Sequence, residues 1–165
     1  MPAVCALALA GCGASRPTLP ASCRSKVVDA VARAAARPTS AVRVVSYVAN
    51  SGAPSCRYTV EEVGGRMVVV AVSADGAPQA YYRLEREIVE DSQSFTPTRL
   101  APVPTNVPDL GLGASWFPLM SALLTSDGVR LITVTVRWPK ATQASEIGLA
   151  VAAARPYLGR LHPPP

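Results

Sequence analysis

The chain is poor in the side chains that most often carry catalysis. Histidine occurs once in 165 residues, at His162, in a closing His-Pro-Pro-Pro run. A Ser-His-acid relay needs a base within hydrogen-bond reach of its nucleophile, and one histidine in a proline tail is a poor source of it. No CxxC motif and no histidine pair is present, so no metal or cofactor is expected. Aromatic residues make up only 5% of the chain. They are too few, and too far from the basic residues, for the stacking platforms that bind single-stranded nucleic acid, so no nucleic-acid partner is expected. No apolar run reaches the ~20 residues that a membrane-spanning helix needs. The expectation is a protein that is not an enzyme.

The material for a folded core is present. Apolar residues make up 49% of the chain, alanine and valine are abundant, and there are 16 prolines. The length suits one domain with its own core. Charge is unevenly placed. Up to Asn50 there are six basic residues, Arg16, Arg24, Lys26, Arg33, Arg37 and Arg43, against one acid, Asp29, whereas ten bases and ten acids share the remainder. The whole net charge of +5 therefore belongs to the N-terminal third. Arg16, Arg24, Lys26, Arg33 and Arg37 are the candidate membrane-proximal basic residues, since a cation at an anionic leaflet gains about 1 kcal/mol. A solvated helix face is the plain alternative.

Residues 3–10 form a short apolar run that ends in Leu9, Ala10, Gly11 and Cys12. These four read as a bacterial lipobox, with Cys12 as the lipidated first residue of the mature protein. Residues 1–11 would then be the remainder of a signal peptide. They carry no Lys or Arg, which suggests that the natural start lies upstream. Residues 12–21 hold two prolines among small residues and read as a tether. Four cysteines allow three full pairings. With Cys5 removed and Cys12 acylated, Cys23 and Cys56 remain as a pair suited to an oxidising compartment.

Residues 22–161 read as a single α+β domain and 162–165 as a disordered tail. A first helix is expected over 22–37, with Ser22 as its cap, Val27, Val28, Val31, Ala34 and Ala35 on its apolar face, and Pro38 at its end. Strands follow at 42–49, 55–63 and 67–72. The second alternates Cys56, Tyr58 and Val60 with Arg57, Thr59 and Glu61. The third is apolar on both faces, as in a covered central strand. A second helix is expected over 78–91, with Tyr81, Leu84 and Ile88 buried, and then a loop over 92–108. A hairpin at 119–124 and 129–136 turns at Asp127-Gly128. A third helix starts at Thr142, with Ile147, Val151, Ala154, Leu158 and Leu161 as its stripe, and Pro156 breaks it near Arg155. The expected order is α-β-β-β-α-β-β-β-α: an antiparallel sheet of about five to six strands in two meanders, packed with three helices.

Motifs that resemble chemistry are incomplete. Gly113-Ala114-Ser115-Trp116-Phe117 begins like a nucleophile elbow but lacks its last glycine. Gly111-Leu112-Gly113 lacks the third glycine of a dinucleotide loop. Neighbouring Glu61 and Glu62 point to opposite sides of a strand, so they cannot act as a carboxylate pair. Trp116, Phe117, Leu119 and Met120 are core residues or else the rim of an apolar ligand or partner groove, and Pro118 within the run argues for a strand edge or bulge.

The lipobox, a cysteine opening the first helix (Cys23), a second opening a strand (Cys56), and the Gly111-Leu112-Gly113 turn before the closing strands resemble the DUF3558-like lipoproteins of the actinobacterial cell envelope. The chain departs from their pattern at Ala114-Ser115, where an acidic residue followed by alanine is expected. The resemblance implies a compact α+β domain on the extracytoplasmic face of the cell membrane, held by a diacylglycerol and acyl anchor on Cys12, and it implies no catalytic residue. The expected function is a non-catalytic binding or accessory module whose partner is an envelope protein, polymer or lipid. The alternative is a carrier of a lipid or other apolar ligand in a groove near residues 116–120.

Overall fold

A computed structural model of the chain describes residues 23, 25–48, 54–62, 65–75, 103–128 and 130–158. Two meanders build one antiparallel sheet. The first comprises β1 (Arg43–Val48), β2 (Pro54–Glu61) and β3 (Met67–Asp75). The second comprises β4 (Thr105–Asn106), β5 (Ala114–Phe117), β6 (Ala122–Ser126) and β7 (Leu131–Arg137). They join where β3 pairs antiparallel with β7, giving the order β1-β2-β3-β7-β6-β5-β4. Seven strands replace the expected five to six; β5 and the two-residue β4 at the sheet edge lie outside the five ranges expected above. The described helices are α1 (Lys26–Ala34) and α2 (Gln143–Ala154). The helix expected over 78–91 lies outside the described residues, as do residues 1–22 and 159–165.

Register explains the core. Val44 pairs with Tyr58, Tyr58 with Val70, and Val70 with Val136, so all four share one face. Cys56, Val72, Val134, Leu123 and Trp116 form the next row. Both helices pack on this face: Val27 and Val31 of α1 and Leu149, Ala150, Ala153 and Ala154 of α2 join the same buried cluster. Each fully buried valine or leucine contributes roughly 1.5–3 kcal/mol. The opposite face is also covered at its centre. Ala122 and Leu124 are fully buried there, and Val69, Ala71 and Ser73 of β3 are half-buried. The two-sided apolar run of β3 fits this central position.

Element boundaries shift for local reasons. α1 starts four residues later than expected, behind Ser25, which makes no side-chain capping bond. It also ends before Pro38 forces it to. Ala36 turns left-handed at φ 51°, and the amides of Ala36 and Arg37 close back onto the carbonyls of Arg33 and Ala32. That is a Schellman stop with alanine where glycine is usual. β6 begins at Ala122 and not at 119, because Pro118 starts a one-turn 3-10 helix and Ser121 leaves it at φ 46°.

The Asp127-Gly128 hairpin forms as expected. The Asp127 carboxylate accepts from the Arg130 backbone amide at 2.7 Å and pairs with its guanidinium at 2.8 Å. Arg130 also donates to the Tyr157 carbonyl, which ties the hairpin to the turn after α2. Thr142 caps α2 through the Ser145 amide, and Pro156 ends it in a 3-10 turn. The buried stripe of α2 is Leu149, Ala150, Ala153, Ala154 and then Tyr157, with Ile147 and Val151 only half-buried. Of the expected stripe, Ala154 is fully buried, and Leu149, Ala150 and Ala153 complete the face in place of Ile147 and Val151. The small alanines let the helix approach the sheet closely.

Candidate functional site

The lipobox residues Leu9, Ala10, Gly11 and Cys12 lie outside the described residues, as do Arg16 and Arg24. The cysteine pair lies within them. Cys23, just before α1, and Cys56, on the core face of β2, have Cα atoms 6.0 Å apart and sulfurs at bonding distance. Both are buried, at 0% and 3% exposure. The alternation of β2 turns Cys56 inward, and the start of α1 is fastened over it.

The apolar side of α1 faces the sheet, which turns its charged side outward, next to α2. Between the two helices runs an open groove with a cavity of about 510 Å³. Its walls come from facing positions three and four apart. α1 supplies Lys26, Asp29, Ala30 and Arg33, and α2 with its closing turn supplies Gly148, Val151, Ala152, Arg155 and Pro156. Gly148 and Ala152 keep the groove wide, and Ala30 forms its floor. Arg33 lies back along α1 and donates from Nε to the Asp29 backbone carbonyl at 3.2 Å. The ion pairs among the described residues, Arg66 with Glu62 and Arg130 with Asp127, lie elsewhere. Three cations thus meet one carboxylate in the groove, with no ion pair among them. Arg37 continues the basic strip past the helix end, beside Arg33 and Thr39.

The expected basic residues Lys26 and Arg33 are therefore brought together, with Arg37 next to them. Arg155 was missed, because the sequence from residue 51 onward is charge-neutral and gave no signal. Only the packing of α2 against α1 places it there.

The rim expected at residues 116–120 does not assemble. Trp116 is fully buried on the helix face of the sheet, Phe117 is 3% exposed on the opposite face, and Leu119 and Met120 stand in solvent at 64% and 49%. Neighbours on a strand alternate sides, and the 3-10 turn at Pro118 carries Leu119 and Met120 away. The Trp116 indole nitrogen is buried without a hydrogen-bond partner.

Other groups of chemical interest are used structurally. Glu62 accepts from the Trp138 indole at 2.7 Å and meets Arg66 at 3.5 Å, while Glu61 is exposed. Tyr58 and Tyr157 share a buried hydrogen bond of 3.0 Å between their hydroxyls. Burial, reinforced by that bond and by Tyr157, pushes the Tyr58 hydroxyl far above the usual phenol range. Burial also raises Tyr157, against the lowering effect of the bond with Tyr58. Gly111 sits at φ 64°, where a side chain would collide with the Ser126 carbonyl and the Thr125 hydroxyl, and its neighbour Leu112 donates to that carbonyl at 2.7 Å. The glycine turn is thus a seam against β6. Among the described residues no cluster of three His, Cys, Asp or Glu side chains could hold a metal, and no helix is long and apolar enough to cross a membrane.

No protein-family model, curated protein or solved structure matches the chain.

Proposed function

We propose that this protein is a lipid-anchored module on the extracytoplasmic face of a cell membrane, a non-catalytic binding or accessory component of the envelope related to the DUF3558-like lipoproteins. The observation that carries this reading is the meeting of Cys23 and Cys56 in the core. A buried disulfide suits an exported protein. Of the four cysteines it leaves Cys5 and Cys12, one inside the signal-like run and one at the end of the lipobox. A diacylglycerol and an acyl chain on Cys12 would hold more firmly than the single chain that binds membranes only marginally. The basic outer side of α1, after the tether, is suited to add attraction to an anionic leaflet.

The test is acylation in a bacterial host that processes lipoproteins. Wild-type chain, expressed with an upstream signal segment, should take up labelled palmitate and sediment with membranes. Cys12→Ala should lose the label and appear in the soluble fraction. Retention of both label and membrane association by Cys12→Ala would refute the anchor.

A further inference from the structure

We infer that the groove between α1 and α2 is a seat for the phosphate of an anionic membrane lipid, with Lys26, Arg33 and Arg155 as its ligands. The inference deepens the lipid-anchor reading and rests on it for the membrane, but its groove is defined independently. Three features point to this occupant.

The first is charge. Among the described residues, Lys26, Arg33 and Arg155 line one cavity without an ion pair, and Asp29 is the acid in its lining. An anion entering there meets a surplus of two positive charges, and guanidinium forks match phosphate oxygens in geometry. The second is shape. Gly148, Ala152 and Ala30 leave an open trough of about 510 Å³ between two rigid helices, wide enough for a phosphate with its glycerol attached. Val151 and Pro156 give it apolar flanks for the first carbons of a lipid. The third is placement. The Cys23–Cys56 link fixes Cys23 just before α1, three residues ahead of Lys26 in this groove. A tether from Cys12 would hold the groove within reach of the leaflet. The nine residues 13–21 after Cys12 span at most ~30 Å.

The experiment uses the full chain with Cys12→Ser, so that binding does not depend on acylation, and vesicles of phosphatidylcholine alone or with phosphatidylglycerol added at about a third of the lipid, enough to give the surface a negative potential. Each is run at two salt concentrations. Flotation should show binding to the phosphatidylglycerol vesicles and little to phosphatidylcholine, weakening as salt rises. Lys26→Gln, Arg33→Gln and Arg155→Gln should each weaken partitioning about fivefold, which is the worth of one basic residue at a charged surface. Ala152→Phe should weaken it without any charge change, by filling the trough. Arg137→Gln, an exposed arginine at the end of β7 and outside the groove, should leave it unaltered. Circular dichroism confirms that each variant is folded.

Equal binding to both vesicle types overturns the inference. So does an Arg137→Gln loss as large as that of Arg155→Gln, or an unaffected Ala152→Phe. Saturable binding of inorganic phosphate, lost in Arg155→Gln and accompanied by no vesicle preference, would assign the groove to a soluble anion and overturn the lipid as occupant. The anchor itself is read separately, by palmitate labelling of Cys12, so either result stands without the other.

Discussion

Reducing the Cys23–Cys56 bond tests the link between fold and compartment most directly. The two cysteines are 33 positions apart. The bond closes that loop in the unfolded chain and so removes conformations that folding would otherwise have to surrender. The loop-entropy relation gives about 3.7 kcal/mol at 25 °C for this separation. That is a large share of the roughly 5–15 kcal/mol that holds a domain of this size together. Comparing oxidised with reduced wild-type cysteines isolates this effect, since no side-chain volume is removed.

The assay is urea unfolding of a Cys5→Ser, Cys12→Ser chain, refolded with or without a phosphine reductant. With a slope of about 2 kcal/mol per molar urea for a chain of this length, the midpoint should fall by about 2 M on reduction. A thiol assay under native conditions should find both sulfurs unreactive, since they are 0% and 3% exposed. A midpoint shift below about 0.5 M would refute the reasoning. It would mean either that the bond does not form or that the unfolded loop is already constrained.

Two other outcomes follow from the packing. Gly111→Ala should cost at least about 3 kcal/mol in the same assay, because the left-handed backbone and the collision with β6 add together. Gly113→Ala, with nothing near its would-be side chain, should cost under about 1 kcal/mol; comparable losses at the two positions would dismiss the seam against β6. The tyrosine pair predicts loss of stability at high pH. Each hydroxyl ionises near 10 in the unfolded chain and higher in the fold. Their contribution is therefore whole below about pH 10 and is lost as pH rises from there through the folded values. A Tyr58→Phe, Tyr157→Phe chain should show a shallower decline in melting temperature between about pH 9 and 11 than wild type, and an equal decline would remove the pair as its source.

The parts of the fold legible in the sequence are those set by local chemistry. The alternation around Cys56, Tyr58 and Val60 identifies a half-buried strand, because only an extended backbone sends every second side chain to the same face. Asp127-Gly128 and Thr142 mark a turn and a cap through specific hydrogen bonds that the structure contains. Pro156 ends a helix because its ring leaves no room for the preceding turn to continue. What was not legible depended on contacts distant in sequence. β3 joins β7 across a long stretch of chain, and nothing near either strand encodes that choice. The buried face of α2 was placed only in part: Ala154 was expected, but Ile147 and Val151 were favoured by their size, while the sheet selected Ala150 and Ala153 for close approach. Trp116 and Phe117 looked like one patch, but one strand sends them to opposite faces.

The basic groove shows the same division more sharply. By sequence, the excess positive charge belongs to the first fifty residues and the remainder is balanced. The fold does not keep that balance local. Asp127 is taken up by Arg130 within its own hairpin, and Glu62 is shared between Arg66 and Trp138. These acids are engaged where strands turn, on the loops of the sheet. Arg155, from the nominally neutral part, is carried by α2 to the side of α1 that already holds Lys26 and Arg33. An exposed cation is individually worth little, and scattered ones are screened within about 8–10 Å at ordinary salt. Three on the walls of one trough border the same space. The alanine face that draws α2 down onto the sheet and against α1 is thus also what converts a surplus of charge in the composition into a place where charge can be read.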